Sequence, residues 1–207
     1  MIAKLAAIFF LISDSLLYPV MLGLLIGLVL AIWRFGRCVR FLASRRFERK
    51  LRRELIDALE TDDVERFGAA LTAEGRTRFA TPLTTTLSAL WNARDDFALL
   101  DKRLAQARLT LFNDSPLLTT LMKLGPAFGL MGTLIPLGPA LVGLATGDLN
   151  VLAQNLGIAF ATTVIGLTIS AIAFCAATLE KRANANDLVV AVFAAERIER
   201  NEDRADA

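Results

Sequence analysis

Histidine is absent from this chain, and cysteine occurs only twice, at Cys38 and Cys175. Without imidazole, and with no cysteine pair at metal-ligand spacing, the familiar zinc and His-centred catalytic arrangements cannot be assembled. A Gly-rich phosphate loop is missing as well. The acid pairs Asp62–Asp63 and Asp95–Asp96 are the nearest approach to acid–base machinery, and their placement between apolar-periodic stretches reads as helix caps and solvated faces. These absences argue against an enzyme, a metal site or a bound cofactor.

Charge is missing from two further places, and there the absence is constructive. Residues 15–33 carry none, and residues 116–179 carry only Lys123 and Asp148. The chain is 55% hydrophobic and yet 21% charged, so the two kinds of residue are segregated along it. A helix that crosses a bilayer needs about 20 apolar residues. The first run therefore supplies one span and the second supplies two, joined near Thr146–Asn150. A secretory signal is the rival reading of the N-terminus, because Lys4 precedes an apolar run. Asp14 interrupts that run and no small-x-small cleavage site follows, so residues 2–12 read as a short interfacial helix leading into the span.

Orientation follows from the basic residues. Residues 34–53 hold nine Lys or Arg and one acid, whereas only Lys4 and Asp14 precede the first span. The positive-inside rule places residue 34 onward in the cytoplasm and the N-terminus outside. A nucleic-acid patch would also be basic, but a cluster directly beside a span is better explained by topology and anionic lipid contact. The expected order is an external segment 1–14, a span 15–33, a cytoplasmic helical domain 34–115, a span 116–146, an external turn 147–150, a span 151–179 and a helical cytoplasmic tail 180–207. The fold class is an all-α membrane protein with three transmembrane helices, in the cytoplasmic (inner) membrane.

Within residues 34–115, apolar positions at helical spacing (Leu51, Leu55, Ala58, Leu59; Leu83, Leu87, Leu90, Trp91) predict amphipathic helices, with breaks at Gly68, Gly75 and Pro82. In the tail, Leu188, Val189, Val192, Phe193 and Ile198 let the third span continue as a long helix.

The stretch GPAFGLMGTLIPLGPA, residues 125–140, packs four glycines and three of the six prolines into sixteen residues. In water this would read as turns; in a membrane it reads as a helix with one face open to close approach. Asn113-Asp114-Ser115-Pro116 is a helix start. Beyond it Gly125, Gly129, Gly132, Pro136, Ala140 and Gly143 recur at steps of three and four, with Thr133 beside them. In the next span Gly157, Thr162, Thr163, Gly166 and Ser170 form a second small face bearing hydroxyls. Spacing alone is compatible with helix packing, in which Ser or Thr hydroxyls serve carbonyls freed by prolines such as Pro136 and Pro139, and also with an ion-lining face.

The words themselves add a resemblance. GLMGTLIPL at 129–137, followed by GIAFATTVIGLTISAIAF at 157–174, is similar to the paired motifs of the MotA/TolQ/ExbB family of ion-channel subunits, and three spans resemble its TolQ/ExbB branch. The resemblance implies a pore-forming subunit of a motor driven by proton or sodium flow. It implies a homo-oligomer, a pentamer, around an ExbD/TolR/MotB-like single-span protein that carries an intramembrane Asp. The channel-lining threonines of the family would fall on Thr133 and Thr163, with Thr162 adjacent. TolQ/ExbB members usually carry a glutamate before the threonine of the third span; here Ile158, Ala159 and Phe160 stand there.

Independently of the family, proton movement through hydrocarbon needs titratable groups or water, and the interiors of the second and third spans hold neither acid nor histidine. An ion-carrying carboxylate must then sit on another chain. The glycine stripe would be the surface along which a partner helix slides. The alternative is a structural scaffold, or a transporter's membrane subunit without its own ion pathway, in which the small stripes only pack helices.

Overall fold

A computed structural model of the chain describes residues 2–47, 49–61, 63–72, 82–94, 96–112 and 115–205. Gly75, Asp62, Asp95, Asn113 and Asp114 lie outside the described residues, as do the side chains of Lys4, Asp14 and Leu51. Among the described residues there is no strand, and the helices are α1 (Ile2–Phe47), α2 (Arg49–Glu60), α3 (Val64–Thr72), α4 (Pro82–Trp91), α5 (Phe97–Phe112), α6 (Pro116–Thr146) and α7 (Leu149–Ala205). Three of them contain windows long and apolar enough to cross a membrane, within Ser15–Arg45, Ala98–Thr146 and Leu149–Asn201. The chain is an all-α membrane protein. It divides into two compact units, Met1–Arg37 with Ser115–Ala177, and Cys38–Asp114 with Thr178–Ala207.

In the first unit α1 buries Val20, Leu24 and Ala31 and leaves Leu22, Leu25, Val29 and Ile32 exposed. A helix that is apolar all round yet buried on one face is suited to hydrocarbon on the other. Two glycines let α1 approach its neighbours. A Cβ at Gly23 would stand 3.0 Å from the Phe128 ring, and one at Gly27 would stand 3.3 Å from Ile169 Cδ1. Pro116 occupies the first turn of α6, where its missing N–H costs nothing. Ser115 holds the N-cap position without capping the helix through its side chain. Its hydroxyl instead accepts from Arg34 Nη2 at 2.6 Å.

The reversal between α6 and α7 takes two residues. Gly147 adopts φ 76°, a left-handed conformation that glycine enters without a Cβ penalty. The Asp148 N–H then returns to Gly143 O at 2.8 Å, while the Asp148 carboxylate accepts from the Asn150 and Val151 N–H groups and caps α7.

The second unit closes around Leu55, Ala58, Leu59, Phe67, Leu87 and Leu90 together with Ala191, Ala194, Ala195 and Ile198 of α7. The tail of α7 is thus a packed wall of this unit, with alanines where larger residues would hold α2–α4 away. Gly68 does not break a helix, contrary to the sequence expectation. It lies inside α3 because the Trp91 indole rests on it: a Cβ there would come within 2.1 Å of Trp91 Cζ2. Pro82 opens α4, while Asp63 and Asp96 accept from the Arg66 and Leu99 N–H groups and cap α3 and α5. Asp187 of α7 is fully buried, paired with Arg45 and with Arg52 Nη1 at 3.5 Å. Arg45 also donates to Ala183 O at 3.0 Å.

Candidate functional site

The two small-residue stripes meet each other. A Cβ built on Gly166 would stand 2.5 Å from Gly125 O and 2.9 Å from Gly129 Cα. One on Gly125 would stand 2.6 Å from Gly166 O, and one on Gly132 would stand 2.6 Å from Thr162 Cβ. Backbone lies against backbone along the α6–α7 seam, which leaves no room for a single methyl group. Gly125, Gly129, Gly132, Pro136, Ala140 and Gly143 are all buried on α6. The stripe expected to receive a sliding partner helix is therefore occupied within the chain itself. Gly157 stands apart from this arrangement: it is exposed, and a Cβ there would meet nothing within 4 Å.

Each proline inside α6 removes the N–H that the carbonyl four residues earlier would accept. Pro126 releases Met122 O in this way, and the Ser170 hydroxyl of α7 donates to that oxygen at 3.0 Å. The pairing of a proline on one helix with a serine on the other, anticipated for Pro136 and Pro139, is realised at Pro126. Pro136 and Pro139 release Gly132 O and Ile135 O by the same rule.

Geometry separates the three threonines. Thr162 is buried, 4% exposed, facing Gly132, and its hydroxyl donates to Ile158 O and Ala159 O at 3.0 and 2.9 Å. Thr133 and Thr163 are half-buried. Each follows a seam residue by one position, Gly132 and Thr162 respectively, and so lies about 100° further round its helix. Because α6 and α7 are antiparallel, that rotation brings both to the same edge of the seam. It is the edge away from α1, which packs near Phe128 and Ile169. Thr163 is level with Gly129, since a Cβ there would stand 3.5 Å from Thr163 Cα. Thr133 is one turn further along, about 6 Å.

Their hydroxyl protons are committed to their own helices, Thr133 to Leu130 O at 2.7 Å and Thr163 to Ala159 O at 3.1 Å. A hydroxyl whose proton is engaged still offers lone pairs. What this edge can present is thus a pair of oxygen acceptors, suited to a cation or a protonated carboxyl group. Nothing titratable accompanies them. Lys123 is exposed near the start of α6, and the Asp148 carboxylate is engaged in capping α7. Among the described residues no group of His, Cys, Asp or Glu could hold a metal ion. Ile158 and Ala159 face the seam, half-buried and buried, while Phe160 is exposed.

Sequence reasoning missed three polar contacts. Ser170 was seen as small rather than as the partner of a freed carbonyl, although a proline in one apolar span and a serine in the next are a readable signal. The Arg34–Ser115 and Asp187–Arg45 contacts join residues 81 and 142 positions apart, and no periodicity announces them.

Comparison with curated proteins and with solved structures finds no match. Comparison with protein families matches residues 82–191 to the MotA/TolQ/ExbB proton channel family. The match begins at the first residue of α4 and extends through the threonines and the α6–α7 seam to Ala191. It takes in more than half of the 207 residues, and the chain belongs to the MotA/TolQ/ExbB proton channel family.

Proposed function

We propose that the chain is the pore-forming subunit of a motor complex driven by proton or sodium flow, and that it energises a single-span partner protein. The observation that carries this reading is the pair Thr133 and Thr163, acceptor oxygens one turn apart on one edge of a rigid helix hairpin. Two such oxygens per subunit, repeated around a homo-oligomer, make a ring of weak ligands that an ion can enter and leave. We assign five subunits to that ring by likeness to the TolQ/ExbB branch. The ion-carrying carboxylate belongs to the partner's transmembrane helix, because the hairpin supplies none of its own. Thr162 serves the same path indirectly, by sealing the seam behind the two edge threonines.

The chain acts without chemistry of its own, neither as an enzyme nor on nucleic acid. It lies in the cytoplasmic membrane with its N-terminus outside and its C-terminus in the cytoplasm, an orientation supported by the basic run at residues 34–53. The close fit of Gly125, Gly129 and Gly166 favours the scaffold reading for those residues alone. A pure scaffold would have no use for hydroxyls at an unoccupied edge.

The test is ion flux in proteoliposomes with the partner present, measured beside oligomer yield, for Thr133→Val, Thr163→Val and a control, Thr178→Val. Valine keeps the shape, and the lost hydroxyl bond is worth only about 0.6 kcal/mol in a membrane, so assembly should persist. Flux should fall at least tenfold for the first two and hold for the control. Undiminished flux in all three would mean that the threonines are packing residues.

A further inference from the structure

In the unit of Met1–Arg37 and Ser115–Ala177, a groove between α1 and α6 is left unfilled by the chain. It encloses about 240 Å3 and is lined by Gly23, Gly27, Leu30, Leu121, Leu124 and Phe128 among others. The groove exists because Gly23 and Gly27 put no side chains between the helices. Its wall is almost wholly carbon, and the one hydroxyl in it, from Thr120, is spent on Pro116 O at 2.8 Å. Along α1 it runs from Gly23 to Leu30, about 10 Å, or roughly two thirds of the hydrocarbon depth of one leaflet.

The same face of α1 then changes character. One turn beyond Leu30 comes Arg34, and three residues later Arg37. Arg34 Nη2 reaches across to Ser115 at the start of α6 at 2.6 Å. The Arg37 guanidinium lies 5.1 Å from the centre of the exposed Trp33 ring. A guanidinium carries five N–H donors in a fork that matches phosphate oxygens, and one bond to a hydroxyl does not exhaust them. Tryptophan prefers the headgroup level of a bilayer.

A carbon-lined slot of leaflet depth that ends at two guanidiniums and an indole repeats the order of a phospholipid, with acyl chain below and anionic phosphate above. We propose that this groove is a binding site for an acyl chain of one anionic phospholipid per subunit, with the phosphate held by Arg34 and Arg37. The charge at its mouth selects lipid as the occupant: a helix of a second copy filling the slot would bring an apolar surface to Arg34 and Arg37.

The experiment uses the full chain reconstituted in vesicles of equal phosphatidylglycerol and phosphatidylcholine, with a trace of phospholipid bearing a diazirine in its acyl chain. Photolysis should label peptides covering residues 117–128, and Leu124→Trp, which fills the groove, should cut that labelling at least tenfold. Native mass spectrometry of the extracted protein should show phosphatidylglycerol retained over phosphatidylcholine at least fivefold. Arg34→Gln and Arg37→Gln should each bring that ratio toward one while acyl labelling persists. Arg37→Gln is a surface change, so folding is preserved even if Arg34→Gln disturbs the contact with Ser115. Equal retention of the two lipids by wild type, indicating bulk lipid only, would overturn the proposal. So would labelling unchanged by Leu124→Trp, or capture of a second copy of the chain by a photoreactive residue placed at Leu124.

Discussion

Ser170→Ala isolates one contact of the hairpin whose cause can be written atom by atom. Pro126 has no N–H, so Met122 O lacks the donor that any other residue would supply, and Ser170 Oγ fills the vacancy from 3.0 Å. Hydrogen bonds between membrane helices average about 0.6 kcal/mol with a maximum near 1.7. The low average reflects partners that find others when one is removed. Met122 O has no backbone alternative, which moves the expectation to the upper half, about 1–1.5 kcal/mol. Pro126→Ala restores the missing N–H and makes the serine redundant, so on that background Ser170→Ala should cost no more than about 0.3 kcal/mol, the scatter of additive pairs. The coupling, about 1 kcal/mol, is the quantity predicted. Equilibrium unfolding in mixed micelles, followed by circular dichroism for wild type, both single variants and the double, measures it. An equal cost of Ser170→Ala on both backgrounds would refute the reasoning, because the hydroxyl would then serve something other than the freed carbonyl.

Three further outcomes follow from the same geometry. Gly166→Ala places a Cβ 2.5 Å from Gly125 O, where only backbone can yield, and should lower stability by about 1–3 kcal/mol, the usual cost of overpacking; Gly157→Ala, open within the chain, should unfold like wild type, and any loss of oligomer with the monomer intact would place Gly157 at a contact between subunits. Asp187→Asn leaves Arg45 and Arg52 facing a neutral group, and since their side chains are 17% and 31% exposed the expected loss is about 3 kcal/mol, the lower end for breaking a buried pair; thermal unfolding within about 0.5 °C of wild type would show that the pair carries nothing. In a background without Cys38 and Cys175, a cysteine at position 148 should react with an impermeant reagent from outside and cysteines at 60, 100 and 195 only from the cytoplasm, and external labelling at 100 would reverse the orientation.

The three membrane-length helices were legible because an uncharged run of that length matches the depth of bilayer hydrocarbon, whereas a helix half in water would carry charge on its wet face. The start of α6 was legible in Ser115-Pro116 and the reversal in Thr146–Asn150, because Pro and Gly act locally. Long-range pairing was not. Leu188 and Val189 were the obvious apolar residues of the tail, yet Val189 is 69% exposed while Ala191, Ala194 and Ala195 are buried. Small residues mark a tightly packed face better than large ones when the facing helices must come close, and hydrophobicity ranks them the other way round. Gly68 misled for the same reason: read as a break, it is a seat for an indole.

Where the stripes meet also changes how the proposed motor would work. Gly125, Gly129 and Gly132 are closed against Thr162, Gly166 and Ser170 with no spare volume, so a partner helix could reach them only by prising α6 from α7. Separation would expose Met122 O without its donor and undo contacts at backbone distance, at a cost that repeated turnover could not sustain. Under the proposed function the hairpin therefore moves as one body, and the partner's carboxylate meets it at the edge where Thr133 and Thr163 emerge. That division assigns glycine to stiffness and threonine to passage. Thr162→Val, on the stiff side, should disturb hairpin stability and leave flux per assembled complex unchanged, whereas Thr163→Val, one residue away, should do the reverse. Equal loss of flux per complex from both substitutions would show that the seam opens during transport, and the rigid hairpin would have to be abandoned.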